Sequence, residues 1–287
     1  MHKKNTPLLN IFLMHHGRTE FLKEALFSLK KISQNDKVLI TFSDNSENKK
    51  TPLDDILINN RNFQFQSSSY PCVFEHYKFC IRKNTAKYFM FFHDDDIIME
   101  NYFENTVEFL EKNLDFAACG TNAEVVDKHA KRISKHFFYQ KEMETILSNP
   151  SDLMEKYVHL GRTKYAPFPS YTYRAAMLYE NMIVNDSGKV SDVSFLLRIL
   201  QKNPIAWINK NCMYYRLHES NDSKVIKVHD RIKLKNVYKK ISHNTVSNLN
   251  IKKLNLFVWR SWIKTILKNP YHLFINRKKF FIILKNI

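Results

Sequence analysis

The segment Tyr88–Asp96, YFMFFHDDD, constrains this chain more than any other. Its first five residues are apolar or aromatic without a break, the pattern of a strand covered on both faces. Three adjacent carboxylates follow at once. Side by side they repel one another, and such a cluster normally needs a cation or strong hydrogen bonding to balance it. In an open α/β sheet, ligands bind outside the carboxyl ends of the strands. A divalent ion held there by two carboxylates would bridge to a diphosphate and neutralise charge developing on it as a leaving group. The alternative is a loop in which Asp96 caps the next helix.

Around this segment, strand and helix patterns alternate. Leu8–Met14 and Lys37–Phe42 are short apolar runs, and Phe63–Gln66 is a weaker one. Thr19–Lys31 places Phe21, Leu22, Ala25, Leu26 and Leu29 on one helical stripe. Helical spacing recurs over Val73–Lys83, over Tyr102–Glu111 and over Val193–Leu200, and Pro52–Leu57 is a short helix candidate. Phe116–Cys119, Ile205–Ile208 and Cys212–Leu217 read as strands. Residues 141–180, with Pro150, Pro167 and Pro169, predict helices and a substrate-facing loop. Strands alternating with helices at this pitch predict an α/β fold with a mainly parallel central sheet flanked by helices.

Composition narrows the chemistry. The chain has only 4 glycines in 287 residues and lacks G-x-G-x-x-G and G-K-S/T, so a nucleotide is not held by a glycine-rich phosphate loop. Cys72, Cys80, Cys119 and Cys212 form no C-x-x-C pair and read as free thiols of a reducing compartment. His15, His16 and His93 lack the spacing of a zinc site. Leu8–Met14 is too short for a signal peptide, and no apolar run is long enough to span a bilayer, so a cytoplasmic location is expected. The net charge of +17 is unevenly placed: fourteen Lys and Arg follow Asp230, the last acidic residue, leaving 31 basic against 28 acidic residues before it.

Several segments, in order, resemble family 2 glycosyltransferases. NIFLMHHGRTEFLKEALFSL (10–29) resembles their opening strand, loop and helix, and KVLITFSDNS (37–46) their second strand. AKYFMFFHDDDIIMENYFENTVEFLEKN (86–113) is similar to the segment carrying their Asp-rich metal motif. SYTYRAAML (170–178) and GKVSDVSFLLRI (188–199) resemble the acceptor region, and RLHESNDS (216–223) the closing Arg-x-His-x-x-Asn-x-Ser element. The resemblance covers roughly residues 8–223 and departs at three places. Met14-His15-His16-Gly17 stands for the usual Pro-Thr-Tyr-Asn, His93 for a common Asp, and Ser191 for a Glu before the base.

The resemblance implies an A-type glycosyltransferase fold with a catalytic domain at 1–223, divided into a nucleotide-sugar half (1–120) and an acceptor half (121–223). It implies an inverting transfer from a nucleotide-diphosphate sugar, with uracil as the expected base, to a lipooligosaccharide, capsule or related glycan. Asp44 would read the base, and the loop His15–Arg18 would line the nucleotide. Asp95 would hold Mn2+ or Mg2+, with Asp96 and His218 as further ligands. Asp94, Asp96, Arg216 and His218 would contact ribose, diphosphate or donor sugar, and Asp192 would be the general base. Simpler roles are a turn residue for Asp44, a helix cap for Asp192 and a structural hydrogen bond for His218.

Residues 224–287 predict a basic helical extension. In Ile251–Lys268, Ile251, Leu254, Val258, Trp259, Trp262 and Ile266 gather on one side, with Lys253, Arg260, Lys264 and Lys268 opposite. Tyr271–Lys285 continues the aromatic and basic character. This suits an anionic inner-membrane surface, or a helix packed on the catalytic domain with a solvated basic face. No nucleic-acid recognition motif is present. A function from another class also fits the tail: a catalytically silent binding protein on the same fold.

Overall fold

The computed structural model describes residues 6–47, 60–70, 72–159, 163–179, 182–221, 226–242 and 248–268. Strands β1 (Leu9–His15), β2 (Val38–Asp44), β3 (Phe63–Ser67) and β4 (Tyr88–His93) form a parallel block in the order β3-β2-β1-β4. Helix α1 (Leu22–Ile32) links β1 to β2, and α2 (Val73–Lys83) links β3 to β4. The sheet continues through β9 (Tyr171–Arg174), β6 (Ala118–Val126) and β10 (Ile205–Arg216), and ends on the short β5 (Ile97–Ile98). Strand β7 (Arg132–Ser134) adds to β6, and β8 (Glu144–Leu147) to the first half of β10. The expected halves at 1–120 and 121–223 thus share one sheet.

Residues on each strand serve both faces, as the unbroken apolar runs require. Leu9, Ile11, Leu13, Tyr88, Met90 and Phe92 pack with α1 and with α3 (Tyr102–Lys112). Phe12, Met14, Phe89 and Phe91 belong to the opposite core. That core also takes α2, α4 (Pro150–Tyr157), α5 (Ser191–Leu200), α6 (Val228–Ile241) and α7 (Asn248–Lys268). Burying a large apolar side chain contributes about 1.5–3 kcal/mol, so the alternating aromatic run of β4 is a main source of cohesion.

The far half of the sheet is mixed where a mainly parallel sheet was expected. Strand β9 lies antiparallel between β4 and β6, because the chain re-enters the sheet from the opposite end after α4. The two strands expected at 205–208 and 212–217 are one. Register shifts at Asn211 let its first half pair with β8 and its second with β5. In 141–180 the described residues form β8, the helix α4 capped by Asn149, two short 3-10 turns and β9. Helix α1 starts at Leu22, three residues after the expected Thr19. The helix expected at Pro52–Leu57 and the stretch Tyr271–Lys285 lie outside the described residues.

The buried cation Arg174 joins β9 to α3. Its Nη2 donates to the carbonyls of Leu110 (2.6 Å) and Asn113 (3.1 Å), Nε to that of Phe116 (3.1 Å), and Nη1 to the Tyr88 hydroxyl (2.9 Å). Its charge therefore meets the negative end of α3, where carbonyls lack helical partners. Arg174→Met should lower unfolding free energy by about 2–4 kcal/mol, measured by urea denaturation, because these buried acceptors lose their donor.

Candidate active site

The chain runs from β1 outward through β2 and β3, then returns to pair β4 on the other edge of β1. The point where strand order reverses, at the carboxyl ends of β1 and β4, is where such sheets form a ligand crevice. Both ends carry polar groups. His15 closes β1 in register with Asp44, and His93 closes β4 opposite Met14. Asp94, Asp95 and Asp96 follow and are all buried.

Each aspartate is held differently. Asp94 accepts a hydrogen bond from His15 Nδ1 (2.7 Å) and lies 3.7 Å from the Arg18 guanidinium. The His15 ring is fully buried against Phe42, so its reach to a ligand runs through Asp94 rather than by direct lining of the crevice. Its Nε2 has no partner among the described residues. Asp95 meets His218 Nε2 at 2.9 Å and Arg18 at 3.5 Å. Burial pushes its carboxyl up, but His93, the His218 hydrogen bond and Arg18 outweigh this and hold it below the usual range. Asp96 accepts from the Arg216 backbone N–H (2.9 Å) through Oδ1, while buried Oδ2 has no partner among the described residues. Burial, then the charge of Asp95, pushes Asp96 well above the usual carboxylate range.

Such a site needs positive charge. Ligand atoms of His93, Asp95 and Asp96 lie within 4.8 Å of one another. With the unpartnered Asp96 Oδ2, this mixed imidazole and carboxylate set fits a divalent cation such as Mn2+ or Mg2+. His93 is thus a candidate ligand beside Asp95 and Asp96, and His218 stands next to them on Asp95. Arg18, with its side chain 46% exposed, is the cation that faces outward from the cluster.

Arg216 corrects an expectation. Its side chain is 0% exposed and is held on all three nitrogens within the protein. Nε donates to the Asp95 carbonyl (2.9 Å), and Nη1 reaches the carbonyls of Lys128 (3.2 Å) and Asp127 (3.4 Å). Nη2 pairs with Glu24 (2.7 Å), and the guanidinium lies over the Phe21 ring. It shapes the acidic loop instead of contacting phosphate. The Arg-x-His-x-x-Asn spacing has a local cause: Asn221 accepts from the His218 N–H and donates to the Arg216 carbonyl, folding the turn that aims His218 at Asp95.

Asp44 is buried, and its Oδ1 accepts from the Ser46 N–H (2.8 Å), so it makes the turn that presents Asn45 and Ser46. Asp192 stands in the first turn of α5, where Oδ1 accepts from the Val193 N–H. Burial raises its pKa to about 6 despite that bond. It lies within electrostatic reach of the buried Tyr157, Tyr165, Tyr171 and Tyr173. One turn on, Phe195 packs on Phe168, which packs on His93, so α5 stands one aromatic layer from the acidic cluster. Gly188 sets the entry to α5. Its φ is +61°, and a Cβ there would come within 2.1 Å of an Asp230 carboxylate oxygen. Sequence reasoning did not find Glu24, His76 or Asn221 as site residues. Each acts through contacts 3 to 192 positions away in the chain.

No family profile matches the sequence, and no curated protein matches it. Solved structures do. TarS residues 1–349 from S. aureus superposes with a TM-score of 0.66 at 13% identity over 97% of this chain and 79% of that one. Its complex with UDP-GlcNAc gives 0.67 at 14% identity over 97% and 79%, and its complex with UDP gives 0.61 at 14% over 92% and 74%. The architecture is that of an A-type glycosyltransferase fold.

The two arginines should separate on mutation. Arg216→Met should cost about 2–4 kcal/mol in chemical denaturation, since it strips donors from buried carbonyls. Arg18→Met should change stability by no more than about 0.5 kcal/mol.

Proposed function

We propose that this protein is an inverting glycosyltransferase that uses a UDP-sugar donor and a hydroxyl of a surface glycan, such as lipooligosaccharide or capsule, as acceptor. The observation that carries the reading is the convergence of Arg18, the His15–Asp94 pair and the Asp95–His218 pair at the switch point of an A-type sheet. The superposable TarS fold, solved with UDP-GlcNAc and with UDP, supports the donor class.

In this mechanism Arg18 binds the diphosphate, and His15 and His218 hold Asp94 and Asp95 in place around it. A Mn2+ or Mg2+ ion on His93, Asp95 and Asp96 would supply charge neutralisation to the departing diphosphate. Asp192 takes the proton of the acceptor hydroxyl as that oxygen attacks the anomeric carbon. A carboxylate raised to about 6 is a stronger base than an ordinary aspartate and remains ionised at neutral pH. A single direct displacement inverts the anomeric configuration.

With Mn2+ or Mg2+ and a panel of UDP-sugars, the protein should transfer or slowly hydrolyse one donor and gain thermal stability on binding UDP. Absence of turnover and of any UDP-dependent shift would refute the reading in favour of a catalytically silent binding protein. Asp95→Ala should abolish turnover. kcat/KM should fall as pH drops through about 6, where Asp192 takes up its proton. Asp192→Asn should remove transfer yet keep or raise the melting temperature at pH 8. The sign follows from the raised pKa: the native carboxyl is hard to ionise, so above pH 6 its charge costs stability that asparagine does not.

The C-terminal region adds a second part to the proposal: attachment to an anionic membrane surface at the cytoplasmic face. Part of the apolar stripe expected to meet lipid is packed inside the protein, since Leu254 and Val258 are buried against α4 and α6. Lys252, Leu256, Arg260 and Ile263 face outward, and basic residues alone carry the charge from Arg231 on. No helix among the described residues is long and apolar enough to cross a membrane. Replacing Lys252 and Arg260 by Glu should weaken binding to phosphatidylglycerol vesicles several-fold in sedimentation assays, without loss of melting temperature. Unchanged sedimentation would reject this part.

A further inference from the structure

Beside the acidic cluster, on the β2 side of the crevice, lies a second polar cluster that the scheme above does not use. His76, on α2, is fully buried. Its Nε2 lies 2.7 Å from Ser43 Oγ, and its Nδ1 lies 3.4 Å from Nε2 of His16. The two imidazoles meet edge to face, with centroids 5.1 Å apart. His16 sits in the loop after β1 and is exposed. Its outer nitrogen, Nδ1, lies 3.5 Å from Asn45 Nδ2.

The amide of Asn45 orients this cluster. Asn45 Oδ1 accepts from the Tyr70 N–H (2.7 Å) and from Ser68 Oγ (2.8 Å), so Nδ2 is the donor, to the Tyr70 carbonyl (2.8 Å) and toward His16 Nδ1. His16 then carries its proton on Nε2 and donates to His76 Nδ1. His76 in turn donates from Nε2 to Ser43 Oγ. Gln66 Nε2 also donates to Ser43 (2.7 Å), and the Ser43 hydroxyl donates onward to Cys80 Sγ (3.4 Å). The direction of the chain follows from the Asn45 amide: with its Nδ2 toward His16 Nδ1, protons run from His16 to His76 and on to Ser43. Burial drives the His76 pKa down to about 3, which keeps this neutral tautomer at working pH.

We propose that His76 is a positioning residue for donor binding: it locks the His16 imidazole, through the Ser43 anchor on β2, as the stacking platform for the nucleoside base. The proposal rests on reading the crevice as a UDP-sugar site. Ser43 precedes Asp44 at the end of β2, and His16 follows His15, which is bonded to Asp94. The platform therefore meets Asn45 and His76 on the β2 side and lies within electrostatic reach of Asp94 and His93 at the end of β4, beside the diphosphate region at His15, Arg18 and the aspartates. A ring held by one edge at Nε2 keeps its face open, as base stacking requires. A free His16 side chain would spend its binding energy on being ordered.

The experiment is a thermodynamic cycle on the full chain, with uridine, UDP and Mn2+ as separate titrants in calorimetry. His76→Phe fills the space but removes both hydrogen bonds, and should weaken uridine and UDP by a similar factor of about ten. Mn2+ affinity should be unchanged. In turnover the loss should fall on donor KM and not on kcat. His16→Ala should weaken uridine as much, and the double variant no further, because His76 acts only through His16. His76→Asn retains an acceptor for His16 Nε2 and should restore most of the affinity. If His76→Phe does not fold, His76→Leu, which also removes both hydrogen bonds, takes its place in the cycle. Uridine affinity insensitive to either histidine in folded protein, or additive losses in the double variant, would overturn the proposal and leave the donor reading standing. A wild-type protein that binds no UDP would overturn the donor reading, and this proposal with it.

Discussion

The buried guanidinium of Arg216 organises the site. It binds the Asp95 carbonyl, the Asp127 and Lys128 carbonyls and Glu24, and it lies on Phe21. Four chain segments that share no local sequence therefore meet on one planar cation: the end of β10, the acidic loop, the turn after β6 and the first turn of α1. A buried charge is costly unless it is paired and hydrogen-bonded, and here carbonyls and a carboxylate bond all three guanidinium nitrogens in directions the rigid fork already has. The acidic loop consequently has one shape, and neighbouring carboxylates that repel one another are kept together.

The same economy recurs at the other charged points. Arg174 gathers the carbonyls at the end of α3 and the Tyr88 hydroxyl, anchoring the antiparallel β9 to the parallel block. His15 and His218 each hold one aspartate, from opposite sides of the crevice. Arg18 is the contrast. Its guanidinium stands 3.5–3.7 Å from two carboxylates and remains half in solvent, so an incoming phosphate meets a cation whose local bonds are weak. Asp96 is the complementary case, a carboxylate in a site that favours its neutral form until positive charge arrives.

Much of this was legible in the chain. The uninterrupted aromatic run of β4 required cover on both faces, and two separate cores supply it. The acidic cluster was read at the end of a buried strand, and it stands there; that this end lies at the switch point came from the strand order. The helices at 73–83 and 102–112 follow their apolar spacing closely. The antiparallel insertion of β9 was not legible, because strand direction is decided by where the preceding chain leaves the sheet, not by residue pattern. Nor was the fusion of two short strands into β10, since a register shift leaves no mark in composition.

Residue type alone determined which groups this protein has for chemistry: carboxylates after a buried strand, histidines at two strand ends, an acidic residue opening α5 and a basic final region. Tertiary structure decided which of them face a ligand. Arg18 and Arg216 are the same residue type, yet one is half exposed and the other is sealed among carbonyls, because Arg216 ends β10 against Asp95 and Asp96 while Arg18 lies in the loop after β1. The triplet Asp94-Asp95-Asp96 is uniform in sequence. Burial and three different partners make it a pinned acid, an ionised acid and an acid raised toward neutrality. Those differences arise from distance and dielectric, which only the folded chain specifies.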